Sequence, residues 1–573
     1  MAGPATELGL DRSGNGNNFA VAGTLGSDQM VDTPTNNFCT MNPLSQNVNA
    51  TLDEGNLQQT GANESHGGKE GTFTLPKTGK WYWEVYIKST DSSRGQGVGI
   101  GKAVYRDVNN WGNYTEFAGY MGSQETYGAS GGYSSYGANH AAGNIIGVAW
   151  NSDDTELTFY HNNSTQGTLT SFGSWISADA LVPILLGRNV VWVANFGQDS
   201  SFAGNTTAQG NQDSGGIGDF YYTPPSGFLA LCTSNLPEPA VAPSKNFNTV
   251  LYTGTGSEQD VTGVGFQPDL TWIKERAESE QLVAVDVLRG SGVTEINPNS
   301  TAAESDDAQE VKAILSDGFQ VGTSSVTNQN NATHVAWNWK AGDSSTNVSE
   351  SGNNPGGTHR ANQAAGISLV TYTGTGSAGT VTHGLGAAPD FIICKTRNNT
   401  GDWMVFFGDN TDFLKLNTIA PREDLAAVWN DTSPTSTVFS LGDNSDVNVD
   451  GRTYLAWCFK STDGFSKFGT YIGNGSTDGT FIYTGFSPAF GLFKNITDNN
   501  TSWILFDNKR STFNPRDDSL SPDTGYAEEE DYDIDFVSNG FKFRNTSSWA
   551  NLGGKTYAFV AFAEVPFKYA NAR

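Results

Sequence analysis

The 573-residue chain carries 32 basic and 60 acidic side chains, a formal net charge of −28. This excludes a partner held through phosphates and disfavours anionic membranes, since both require clustered Lys and Arg. Only 16% of residues are charged, against roughly 25% in typical globular domains, and 68 glycines with abundant Asn, Ser and Thr fill the remaining polar positions, a surface that belongs to secreted, displayed or virion proteins.

At about 150 residues per domain the length predicts roughly four domains, and there is no run of about eighteen apolar residues to predict a membrane-spanning helix. The start, Met1-Ala2-Gly3-Pro4-Ala5-Thr6-Glu7, is polar, so synthesis in a cytoplasm without a signal peptide is expected. Residues 1–70 read as an amino-terminal segment. A first domain is expected over 71–200, with strands at Lys80–Lys88, Ile145–Trp150, Glu156–His161 and Val190–Phe196, where β-branched and aromatic residues run between Gly, Asn and Asp turns. Residues 201–245 read as a linker: Ser200–Gly218 is rich in Gly, Asn, Gln and Ser, and Leu236–Ser244 contains Pro237, Pro239 and Pro243.

The second half repeats one module three times, over 246–341, 367–462 and 463–573, with a Ser/Asn/Gly-rich linker at 342–366. The modules open on Leu251-Tyr252-Thr253-Gly254-Thr255-Gly256, Thr371-Tyr372-Thr373-Gly374-Thr375-Gly376 and Thr470-Tyr471-Ile472-Gly473-Asn474-Gly475. Pro268, Pro389 and Pro488 follow the tyrosines by 16, 17 and 17 positions, and each module closes on an aromatic strand through Trp337, Trp457 or Val560, a further 69, 68 and 72 positions on. The three tyrosines should therefore be equivalent, as should Trp337, Trp457 and Val560. Further strands are predicted at Phe391–Thr396 and Phe541–Arg544, and a single helix at Ala302–Leu315. The expected fold is all-β, a multidomain string of antiparallel β-sandwiches. Such a string gains rigidity by lateral packing against copies of itself, so a homo-oligomer is expected, its contacts on neutral Asn/Thr/Gly faces. Cys39, Cys232, Cys394 and Cys458 lie far apart without paired spacing and read as buried thiols.

Several motifs suggest chemistry. Gly95-Gln96-Gly97-Val98-Gly99-Ile100-Gly101 lacks the following helix that phosphate cradling needs, and reads as a strand. Asp446, Asn448 and Asp450 before Gly451 match the first half of a calcium loop, but Trp457 stands where the bidentate glutamate belongs; calcium competes with a plain Asp-Gly turn, and no other cofactor is expected. The carboxylate pairs Asp153/Asp154 and Asp517/Asp518 and the run Glu528–Asp531 are neighbours whose alternate side chains diverge, so they do not face one bond as hydrolysis requires. No enzyme activity is expected. The Gly/Ser/Asn-rich segment 105–142 holds the aromatic vocabulary of a binding loop, with Trp111, Tyr114, Tyr120, Tyr127, Tyr133 and Tyr136 as candidate receptor contacts. A loop packing its own aromatics over a sandwich is the competing reading.

Gly79-Lys80-Trp81-Tyr82-Trp83-Glu84-Val85, Gly147-Val148-Ala149-Trp150, Leu157–Asn163 and Asn195-Phe196-Gly197-Gln198, in that order, resemble the SPRY family. The resemblance implies a twisted antiparallel sandwich that binds partners through loops and carries no catalytic machinery. The repeats, with Thr223–Phe228 and Asn235–Pro239, resemble modules of tail-fibre and appendage proteins of tailed bacteriophages over about residues 220–573. That resemblance implies a virion structural protein, a homotrimer as such fibres usually are, that binds a host-surface glycan or protein and docks other virion proteins through its amino-terminal segment. A capsule depolymerase, a capsid fibre and a non-viral adhesin are the alternatives.

Overall fold

A computed structural model of the chain describes residues 16, 32–33, 35–45, 49–61, 67–91, 96–102, 116–127, 132–173, 175–178, 181–290 and 294–570. It divides into two compact units that meet at Glu238 and Pro239. Both are built from antiparallel sheets, as the all-β expectation requires, with one short parallel pairing in the first, Leu229–Ala230 on Lys80–Thr90.

The first unit is a sandwich. One sheet runs, edge to edge, through Ala50–Asp53, Gln58–Gly61, Val190–Asn195, Lys80–Thr90, Ile145–Asn151, Glu156–His161 and Ser164–Leu169. The other runs through Gly67–Glu70, Leu181–Gly187, Gly97–Lys102, Phe117–Met121, Glu125–Tyr127 and Tyr133–Ser135. Strand Lys80–Thr90 pairs with Ile145–Asn151 so that Trp81 faces Trp150 and Trp83 faces Val148. Its alternation predicts one wet face, yet Trp81, Tyr82 and Trp83 are all buried. The reason is the stretch read as a linker: Phe220, Ala230 and Cys232 cover Tyr82 together with Phe38 and Ala149. Asp213 knots that stretch, accepting from the amides of Gly215 (2.8 Å), Ile217 (2.9 Å) and Ala230 (2.8 Å) and from Asn235 Nδ2 (2.8 Å). Gly97–Lys102 is a central strand of its sheet, as its glycines suggested.

The second unit contains the three modules, and their registers coincide. Tyr252, Tyr372 and Tyr471 pair with His334, Tyr454 and Tyr557, which places Trp337, Trp457 and Val560 at one position. These are opposed in turn by Trp272, Ile393 and Leu492, four residues beyond the three prolines. Each opening tyrosine stacks on its cross-strand ring, at centroid distances of 5.0, 5.1 and 4.9 Å, and donates its hydroxyl to Thr327, Val447 or Ala550 O. Beneath each Gly-rich turn lies a fully buried asparagine, Asn328, Asn448 or Asn551. Its Oδ1 accepts from Thr255, Thr375 or Asn474 N, and its Nδ2 donates to Ser257, Ser377 or Ser476 O.

Tertiary packing departs from a string of separate modules. Trp272, Trp337 and Trp339, Trp403 and Trp457, and Phe490 and Phe562 belong to one hydrophobic core to which all three modules contribute. The second module leans on the first, where Trp457 Nε1 donates to Asp286 Oδ2 (3.2 Å) and Arg397 pairs with Glu304 (2.8 Å). The first leans on the third by the same device, Trp337 Nε1 to Asp507 Oδ2 (3.1 Å) and Arg276 to Glu528. The third meets the second where Arg422 N donates to Ile496 O (3.2 Å), the counterpart of the Glu304 and Glu528 amide bonds to Arg397 and Arg276 O (2.7 Å each). The ring therefore closes within one chain, and lateral packing against copies is no longer the source of rigidity that motivated a homo-oligomer. At the third joint the tryptophan is replaced by Val560 and the aspartate by Phe407, both packed on the common core. Both partners of the polar pair change together, so neither is left unsatisfied.

Two expected features differ. Residues 302–315 form no helix: Val311–Leu315 is a strand paired with Gly318–Val321 through the Asp317-Gly318 turn. The linker at 342–366 contains strands Thr346–Val348 and Gly357–Asn362, and the latter pairs with Ile367–Thr373.

Candidate functional site

The two sheets of the first unit each end in an exposed strand, Tyr133–Ser135 in one and Ser164–Leu169 in the other. The second of these follows from the Asn162-Asn163 turn, whose positive φ values of 47° and 67° suit a tight hairpin. Tyr136 ties the edges together: its hydroxyl donates to Gly167 O (2.6 Å), and beside it Ala138 N donates to Gln166 Oε1 (3.0 Å). Gly137 sits between them at φ 61°, where a Cβ would lie 2.7 Å from the Tyr120 hydroxyl, so only glycine lets the chain pass. The result is a rim of two linked edges, one carrying the 38%-exposed ring of Tyr133 beside the hydroxyls of Ser134 and Ser135, the other the hydroxyls of Ser164 and Thr165 after the Asn162-Asn163 turn. An aromatic face among neutral hydroxyl and amide groups can stack on a sugar ring and exchange hydrogen bonds with its hydroxyls.

The six predicted contact residues divide accordingly. Tyr133 is on the rim and Tyr136 is half-buried beneath it. Tyr120 is a core residue, fully buried, its ring against Tyr136, His140 and Phe159 and its hydroxyl donated to Ala138 O, so it cannot touch a receptor. The aromatic-loop reading fails for Tyr120 because its strand, Phe117–Met121, is interior to the sheet. Tyr127 lies on Glu125–Tyr127 opposite Tyr133. Trp111 and Tyr114 lie outside the described residues. The strand Ser164–Leu169 was missed in the sequence; the Asn-Asn turn before it was the available signal.

The calcium candidates divide as well. Asn448 spends its amide on the module turn, Asp446 Oδ1 accepts from Asp402 N (3.2 Å), and Asp450 is exposed in the turn. The recurrence of Asn328 and Asn551 at the same position explains Asn448 without a metal. Among the described residues no group of three or more His, Cys, Asp or Glu side chains is placed to hold one. The four cysteines are buried as free thiols.

Under the rim, burial holds the His140 imidazole down to about 3, with His161 adding to the effect. Its ring lies 4.5 Å from Tyr120 and 5.8 Å from Trp192. A base depressed in the folded state takes its proton only on unfolding, so stability present above the ordinary value of 6.5 is lost as pH falls towards 3. Urea unfolding at about pH 7.5 and about pH 4.5 should show a larger loss for the parent than for His140→Gln. Equal losses would contradict the assignment.

A SPRY family model matches residues 80–199, and the model of a domain of unknown function, DUF7483, matches residues 242–566. Solved structures similar to this chain include the SPRY domain of human HERC1 (16% identity, TM-score 0.23, covering 27% of this chain and 96% of that one). The TRIM65 PSpry domain is similar too (16%, 0.22, 28% and 92%), as is stonustoxin (17%, 0.22, 27% and 27%). No curated protein matches the chain. The first unit thus carries a SPRY domain, and the chain, matched over more than half its length, belongs to the DUF7483 family.

Proposed function

We propose that this SPRY-containing DUF7483 chain is a non-catalytic adhesion component of a tailed-phage particle, a tail fibre or similar appendage, whose first unit binds a host-surface glycan. The observation that carries the reading is the rim, an exposed tyrosine beside serine hydroxyls on one edge strand and a neutral Ser/Thr edge strand linked to it through Tyr136. The three-module ring serves as the stiff body that carries it. The phage assignment is supported by the resemblance of the modules to appendage proteins, and the host-glycan assignment by the chemistry of the rim.

Tyr133→Ala combined with Thr165→Ala should abolish adsorption of the purified chain to host cells while the thermal midpoint stays unchanged, because exposed aromatic anchors dominate binding but contribute little to a sandwich core. Adsorption equal to that of the parent would sink the reading. Release of reducing sugar from host capsule by the parent would replace it with depolymerisation.

A further inference from the structure

The three modules treat the strand of their opening tyrosine differently. In the second, Ile367–Thr373 is covered by Gly357–Asn362, with Gly357 opposite Tyr372 and Thr358 opposite Thr371, and Thr373 N donates to Gly356 O (3.1 Å). In the third, the start of Ser466–Ile472 is covered, since Ser466 N donates to Thr462 O (2.9 Å) and Phe468 N to Ser461 Oγ (3.2 Å). Phe247–Thr253 in the first, like Ser466–Ile472 in the third, is a terminal strand of its sheet, and no described segment pairs with its outer side. Gly254 N donates inward to Ala332 O, so Tyr252 and Val250 share that direction and the backbone groups of Thr249 and Leu251 point away from the sheet.

Two side chains mark this edge. Leu251 is 40% exposed, and the equivalent residue is threonine in both other modules, Thr371 beneath the covering strand and Thr470 beyond the covered start of its own. Thr249 is buried, so the open stretch of the edge is residues 251–253. Proteins usually blunt an open edge with charge or proline, whereas an apolar residue there invites another strand.

We propose that the open end of this strand, residues 251–253, is a strand-addition site for a partner polypeptide, an extended Gly/Thr/Asn-rich segment of the kind that Gly357–Asn362 supplies within the second module. The internal example sets the specificity. The residue opposite Tyr252 must be glycine, because a Cβ on Gly357 would lie 2.0 Å from Thr371 O. A hydroxyl residue next to it lies opposite Leu251, as Thr358 lies opposite Thr371. A segment with a basic residue, as Arg360 is in the internal strand, is favoured by the chain's charge of −28.

The probe is a labelled peptide of residues 355–363, titrated against the full chain by fluorescence anisotropy. Saturable binding is expected, with none by a scrambled peptide. Leu251→Pro removes an outward N–H while leaving the inward ladder bonds, and should abolish binding. Leu251→Thr, the residue of the sister modules, keeps the fold and should weaken it. Failure of the peptide to bind, or equal binding by parent and Leu251→Thr, overturns the proposal. So does self-association of the parent that Leu251→Thr abolishes, which would assign the edge to a second copy.

Discussion

Asp507→Ala is expected to destabilise the second unit by about 3–5 kcal/mol, the usual consequence of removing one partner from a buried ion pair. Asp507 and Arg510 are fully buried at 2.6 Å, and the same carboxylate accepts from Trp337 Nε1 across the joint between the first and third modules. Burial opposes the charge, but Arg510 and the amides of Lys509 and Arg510 outweigh it and hold Asp507 below its ordinary range. Without it a guanidinium that cannot deprotonate keeps only Glu528 and Leu505 O, and the indole N–H is orphaned. The third joint shows the alternative: there the tryptophan and aspartate are replaced together by Val560 and Phe407. The triple change Asp507→Phe, Arg510→Asn and Trp337→Val should therefore be better tolerated than Asp507→Ala alone. Urea unfolding followed by intrinsic fluorescence measures both. A loss under about 1 kcal/mol for the single variant would mean that water already reaches the joint.

The second large effect is expected in the first unit, where Glu84→Ala should cost about 1–3 kcal/mol for each of the two backbone amides it leaves unpaired and release the 219–222 segment. Glu84 is fully buried in the middle of the sandwich and accepts from Tyr221 N and Tyr222 N (2.8 Å each), Tyr82 Oη (3.2 Å) and Asn195 Nδ2 (3.3 Å). Burial pushes its carboxyl up to about 7, against the pull of the Tyr222 and Tyr221 amides. The folded state then holds a proton that the unfolded chain gives up, so this group's contribution falls as pH rises from about 4.5 to about 7. That sign is opposite to that of His140, and for this reason the His140→Gln comparison is made at matched pH values. Hydrogen exchange should show the amides of Tyr221 and Tyr222 losing protection in Glu84→Ala before the rest of the sandwich does. Unchanged protection would show that the segment is held by Phe220 and Ala230 packing alone.

The candidate rim was half legible. Tyr133 and Tyr136 stood out as aromatics among small polar residues, but the same signal selected Tyr120, whose neighbours are as glycine-rich as theirs. Composition reports that a segment can bind; it does not report which strand of it is interior to a sheet. Asn448 misled for a related reason, since an asparagine that satisfies a buried turn and one that ligates an ion share the same local spacing.

The sequence by itself determined the all-β class, the SPRY order of strands and the equivalence of the three modules, because period-two alternation, turn residues and repeat spacing are local and survive in any packing. Only the tertiary structure decided that the modules close into a ring around one core, that both faces of residues 81–85 are buried, and that 342–366 supplies a strand. Those outcomes rest on contacts such as Arg276 with Glu528, 252 positions apart, and Trp337 with Asp507, 170 apart, in which neither residue's neighbours announce its partner. A buried polar group must find its partner somewhere in the fold, and the residue pattern states the need without stating the place.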